Sequence, residues 1–166
     1  MALPQPLFIG IKRGPTSSTL TVRRADGSST WSKLSAGIEL HDIAHYAVEQ
    51  TLGLEQAFYG LLAEGFDISD FELAKAERPV RLQTANLPPE SIQTEHLINL
   101  LMTELQYGGP LPDFMTQFTT ILRQHGLPPM HQLTNEGLEE IRKRLAILKN
   151  RWSAVAVGEV LELRFE

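Results

Sequence analysis

The last residues of the chain constrain the fold most. Glu159-Val160-Leu161-Glu162-Leu163-Arg164-Phe165 alternates polar and apolar, with Leu161, Leu163 and Phe165 on one face. That period of two is the signature of a half-buried strand. A lone strand leaves a row of unpaired backbone groups and needs a partner. The other strand-like segments all lie at the opposite end of the sequence. Leu7–Lys12 is short and rich in β-formers, Thr19–Arg24 alternates, and Ser28–Leu34 follows it. Asp26-Gly27 between the last two is a hairpin signal, with both residues expected in left-handed positions. The first and last segments therefore have to meet in one sheet, and whatever lies between must pack against it.

What lies between reads as helix. Leu40–Leu52 has an apolar stripe of Leu40, Ile43, Ala44, Ala47, Val48 and Leu52. Gly53 ends that helix, a second is expected over residues 54–63, and Gly65 suits its C-cap. Gly60 sits inside the second helix, where it marks a close approach by another backbone. Ile68–Glu72 reads as one helical turn. Pro88-Pro89-Glu90 opens a helix that runs to Tyr107 and is apolar on two sides. Phe114, Met115, Phe118, Ile121 and Leu122 form an amphipathic helix. Thr134 caps the last one, where Leu138, Ile141, Leu145, Leu148 and Trp152 repeat at three and four residues. No linker or repeat interrupts the pattern. The expected architecture is one α+β domain over residues 1–166, a small mostly antiparallel sheet packed with about five helices. Residues 1–35 give a three-strand meander, 38–152 the helical part, and 158–166 the strand that joins the sheet.

One helix carries chemistry. His41, His45 and Glu49 are spaced by four, which stacks them in a row at the rim of the apolar stripe. Neutral imidazoles and a carboxylate suit zinc, iron or manganese. A row of three covers about 12 Å at about 1.5 Å per residue, so all three cannot readily bind one ion. The expected divalent-metal site takes two of them plus a ligand from another helix. His96, with Glu95 beside it, is the best outside candidate, while His125 and His131 lie near helix ends. Asp42 or Glu49 would act as base. His41, near the helix N-terminus, is expected to be pressed toward its neutral form by the helix dipole. The plainer alternative is that His45 and Glu49 form a hydrogen-bonded i, i+4 pair with a structural role, and His41 serves the helix start.

Established motifs exclude themselves. H-E-x-x-H would require glutamate where this chain has Asp42. HD phosphohydrolases share only the His41-Asp42 doublet, and none of the five histidines precedes His41 to complete their pattern. No G-x-S-x-G surrounds a serine, and no Gly-rich phosphate loop is present. The chain has no cysteine, so thiolate ligands and thiol nucleophiles are out. A net charge of -5 argues against non-specific nucleic-acid binding, which needs cations against phosphate. The basic residues Arg142, Lys143, Arg144, Lys149 and Arg151 read as a solvated face on the last helix. With no apolar run of membrane length and no basic leader, the expectation is a cytoplasmic protein without membrane contact.

Leu40-His41-Asp42-Ile43-Ala44-His45-Tyr46-Ala47-Val48-Glu49, continued by Leu52-Gly53-Leu54 and Ala57-Phe58-Tyr59-Gly60-Leu61, resembles an uncharacterised bacterial family with an H-D-x-x-H-[YF]-x-V-E segment. The resemblance extends to Thr94-Glu95-His96. It implies a bacterial source and no mechanism. Two functions fit the residues. One is a small metal- or histidine-dependent hydrolase-like protein using the His41, His45, Glu49 row on a small molecule. The other is a non-enzymatic protein-interaction or regulatory domain in which the row is structural.

Overall fold

A computed structural model describes residues 5–166. The sheet has four antiparallel strands in the order β3-β2-β1-β4. They are β1 (Leu7–Lys12), β2 (Ser18–Arg24), β3 (Ser29–Leu34) and β4 (Val160–Phe165). The terminal strand docks on β1 in the register Ile9↔Leu163 and Ile11↔Leu161, so the two ends of the sequence meet as the alternation requires. Leu7, Ile9, Ile11, Leu20, Val22, Leu161, Leu163 and Phe165 are all buried on one face. The β2–β3 connection differs from the expected two-residue turn. It is a three-residue loop in which Gly27 alone has positive φ, at 91°. The Gly27 N–H donates to the Arg24 carbonyl at 3.0 Å, and the Arg24 N–H to the Ser28 carbonyl at 2.8 Å. Asp26 instead accepts from the Ser28 N–H at 2.8 Å, which holds the loop without a strained aspartate.

Among the described residues there are six α-helices: α1 (Glu39–Leu52), α2 (Phe58–Glu64), α3 (Ile68–Glu72), α4 (Pro89–Tyr107), α5 (Phe114–Gln124) and α6 (Asn135–Ser153). The expected five become six when the single turn at Ile68 is counted. α1 is central and packs against α4 and α6. Its end is set by Gly53, left-handed at φ 63°, which donates to the Glu49 carbonyl. The second helix begins four residues later than the apolar pattern suggested. Leu54–Ala57 is an irregular connector strapped to the first turn of α4, where Glu90 Oε2 accepts the Gln56 N–H at 2.6 Å. Two single 3₁₀ turns, Lys75–Glu77 and Val80–Leu82, carry the chain from α3 to α4. Pro89 sits in the first turn of α4, where its missing N–H costs nothing. Thr134 accepts the Gly137 N–H and caps α6 as expected. Arg142 of α6 grips Glu104 of α4 through two nitrogens, at 3.0 and 2.6 Å. No helix among the described residues is long and apolar enough to cross a membrane.

Candidate metal centre

The His41–His45–Glu49 row descends from the surface into the core. Side-chain exposure falls from 33% at His41 to 3% at His45 and 0% at Glu49. That gradient divides the three residues by role. Glu49 has no route to a ligand. Its Oε2 meets His45 Nδ1 at 2.9 Å, and its Oε1 accepts the N–H groups of Tyr59 at 2.8 Å and Gly60 at 3.3 Å. Those two N–H groups lie in the first turn of α2, which has no side-chain cap of its own. A carboxylate there satisfies orphan donors and meets the positive end of the helix dipole. So the hydrogen-bonded His45–Glu49 pair is present, and it ties α1 to α2.

With Nδ1 taken, His45 points Nε2 outward to Glu95 Oε1 at 2.9 Å. His41 Nε2 approaches Glu95 Oε2 at 3.7 Å, and its Nδ1 lies 3.7 Å from Asp42 Oδ1. Neither imidazole spends a nitrogen on a backbone carbonyl among the described residues. One donor atom from each of His41, His45 and Glu95 lies within 4.8 Å of the others, so this group can hold a metal ion. Two ligand atoms about 2.1 Å from one ion stand about 3.0 Å apart at a right angle and about 3.4 Å apart at a tetrahedral one. The His45–Glu95 separation already matches the first value. His41 needs only a small side-chain adjustment, which its partly exposed ring permits.

The helix partner expected from α4 is therefore present, but it is Glu95 and not His96. His96 faces away and stacks on His125, with ring centroids 4.2 Å apart. Glu49 likewise stands behind the group, against the far nitrogen of His45. A carboxylate in that position fixes the imidazole tautomer and orientation and raises its basicity, the usual arrangement behind a metal-bound histidine. Asp42 is buried to within 8% and lines the same pocket as the ligand group, beside His41. Glu95 had a signal in the sequence. It shares a helical row with Ile92, Ile98 and Met102, where an acid is out of place unless something neutralises it.

The charges are coupled. Burial works to lower the His45 pKa, yet its bonds to Glu49 and Glu95 outweigh burial and raise it to about 10. The carboxylates of Asp42, the larger cause, and Glu95 raise His41 to about 9. The expected pressure on His41 toward neutrality is overridden, because two nearby full charges exceed a helix-end partial charge. Burial alone would raise Glu95, but the two imidazoles hold its carboxyl well below the usual range. Burial pushes the Glu49 carboxyl up, against three donors that favour its ionised form. A value that high favours the doubly protonated ring, so an incoming ion has to displace a proton from His45 Nε2.

The group lies at the wall of a pocket of about 370 Å³. Phe58 and Leu61 of α2, Phe71 of α3, Leu82, Leu87 and Ile92 make most of that wall apolar. No family model matches the chain, and neither does any curated protein or solved structure.

Proposed function

We propose that the protein is a metal-dependent, hydrolase-like enzyme acting on a small molecule, with His41, His45 and Glu95 as the ligands of one divalent ion. The observation that carries this reading is the orientation of His45. A fully buried carboxylate holds one ring nitrogen, and the other is presented beside His41 and Glu95 at a pocket. Two imidazoles and one carboxylate suit zinc, iron or manganese, and three protein ligands leave open positions for water and substrate. The ion would supply Lewis acidity and lower the pKa of a bound water. The chain's own residues have separate tasks. Glu49 orients His45, the apolar wall excludes bulk water, and Asp42 is the carboxylate placed to take a proton from the pocket side.

A second reading rests on the bonds from Glu49 to the first turn of α2. In it the row is structural, and the protein serves as an interaction or regulatory domain for a protein partner. Elemental analysis of tag-free protein beside a His45→Ala variant separates the two. Near-stoichiometric zinc, iron or manganese in the parent, lost in the variant, supports the enzyme reading. Metal in neither, even after incubation with each ion, leaves the structural one.

A further inference from the structure

The pocket holds one charged group that the ligand site does not use. Arg78 lines the same cavity as His41, Asp42, His45 and Glu95. It stands between the two 3₁₀ turns, and Pro79 after it confines its backbone to the extended region, φ -67° and ψ 153°. The Arg78 carbonyl accepts from Gln83 Nε2 at 3.1 Å, and its Nε donates to the Leu73 carbonyl at 3.0 Å. The stem is thus held at both ends. Neither Nη nitrogen has a hydrogen-bond partner, and the guanidinium forms no ion pair, among the described residues. The neighbouring Arg81 contrasts with it, being paired with Glu64 through two nitrogens at 3.1 Å.

Apart from these charged groups and Ser91, the wall of the pocket is apolar, formed by Phe58, Leu61, Phe71, Leu82, Leu87 and Ile92. A guanidinium fork with its Nη edge free binds carboxylate or phosphate oxygens in pairs.

We propose that this pocket binds a small organic anion: an apolar, ring-sized body against the phenylalanine and leucine wall, and a carboxylate or phosphate head on Arg78. The opposite end of the ligand then reaches the His41–His45–Glu95 group. The placement of that reacting end rests on the metal reading above, while recognition of the head rests on Arg78 alone.

The test uses three phenyl-bearing probes: hydrocinnamate, its neutral isostere hydrocinnamamide, and phenyl phosphate. Each is titrated by calorimetry into zinc-loaded parent, Arg78→Gln and Arg81→Gln protein. One or both anions should bind the parent at least about tenfold more tightly than the amide, which is about 1.4 kcal/mol. Arg78→Gln should erase that preference, and Arg81→Gln should keep it. Preference for phenyl phosphate over hydrocinnamate identifies the head as phosphate, and the reverse as carboxylate. Equal binding of amide and anions, an unchanged preference in Arg78→Gln, or no binding of any probe at millimolar concentration overturns the proposal. Repeating the titration on chelator-treated protein separates it from the metal reading. An Arg78-dependent preference in protein that takes up no metal sinks the metal centre alone. Stoichiometric metal without that preference sinks the anion site alone.

Discussion

His45 Nε2 stands 2.9 Å from Glu95 Oε1, joining the core of α1 to the partly exposed side of α4. The contact separates metal binding from folding. Glu95 is about half exposed and accepts no backbone donor among the described residues, so Glu95→Gln should fold normally. Replacing its carboxylate by an amide removes the anionic ligand and the charge that balances the ion. We expect metal affinity to fall about a hundredfold, while the protein in chelator still folds cooperatively but melts below the parent, because the two imidazoles lose a carboxylate that favours their protonated forms. His96→Ala, which disturbs only the stack on His125, should keep its metal. Metal analysis of both variants after equal zinc loading checks the pair; retention in Glu95→Gln would falsify the ligand assignment.

The sequence made the sheet legible because period-two alternation and chain ends leave few ways to pair four strands. It made half of the site legible because His41 and His45 are neighbours on one helix, whose geometry is local. Glu95 had only the weak signal of an acid in an apolar row, for a different reason. Helix α4 is apolar on two sides, so its own pattern does not say which row faces α1. The role of Glu49 was hidden, since its partners are backbone N–H groups of α2, which any sequence would provide. The late start of α2 has the same origin: Leu54 and Ala57 are buried by tertiary contact, not as part of a helical stripe.

Glu49 should be the most sensitive position for stability. Glu49→Ala leaves the N–H groups of Tyr59 and Gly60 and one nitrogen of His45 without an acceptor in a dry interior. Such a loss costs about 3–5 kcal/mol, or roughly 6–20 °C in thermal midpoint for a chain of this size. Glu49→Gln is the informative companion. Its side-chain oxygen can still accept from α2, but its amide donates to His45 Nδ1 and drives the proton to Nε2. Stability should then fall less than in Glu49→Ala, while metal affinity drops about 10–100-fold. Thermal melts with and without zinc separate the two effects.

The metal-free protein should lose stability on both sides of a mildly acidic optimum. His45 and His41 are raised to about 10 and about 9 from an ordinary 6.5. Their contribution is therefore complete below about 6.5 and disappears as pH rises through 9 to 10. Glu95 is lowered, so its contribution is present above the ordinary carboxylate range and is lost as pH falls through its depressed value. Glu49, raised by burial, acts in the opposite sense to Glu95: its penalty is relieved as pH falls, which offsets part of the acid loss. Metal replaces the imidazole protons, so its affinity should rise with pH up to about 9 to 10. Denaturant midpoints in chelator across pH 2–10 check the first claim. A zinc affinity that stays flat over the same range contradicts the second.

Gly60 is the backbone counterpart of Glu49. A Cβ built there would stand 2.2 Å from the Glu55 carbonyl oxygen and 2.4 Å from its carbon, both rigid backbone atoms. The connector Leu54–Ala57 crosses that point because its Gln56 N–H is held by Glu90 of α4. The glycine thus lets the connector lie on the first turn of α2, where the Gly60 N–H also reaches Glu49 at 3.3 Å. Gly60→Ala must push the connector away or tilt α2, and either movement pulls on the carboxylate that orients His45. We expect a loss of about 1–3 kcal/mol or more, typical of overpacking in a rigid interior. Gly109→Ala, which meets nothing within 4 Å and has ordinary φ, should change stability by less than about 0.5 kcal/mol. Denaturant unfolding of the two variants measures the difference. Amide exchange at Tyr59 and Gly60 locates it, because a tilt of α2 away from Glu49 exposes those two N–H groups first.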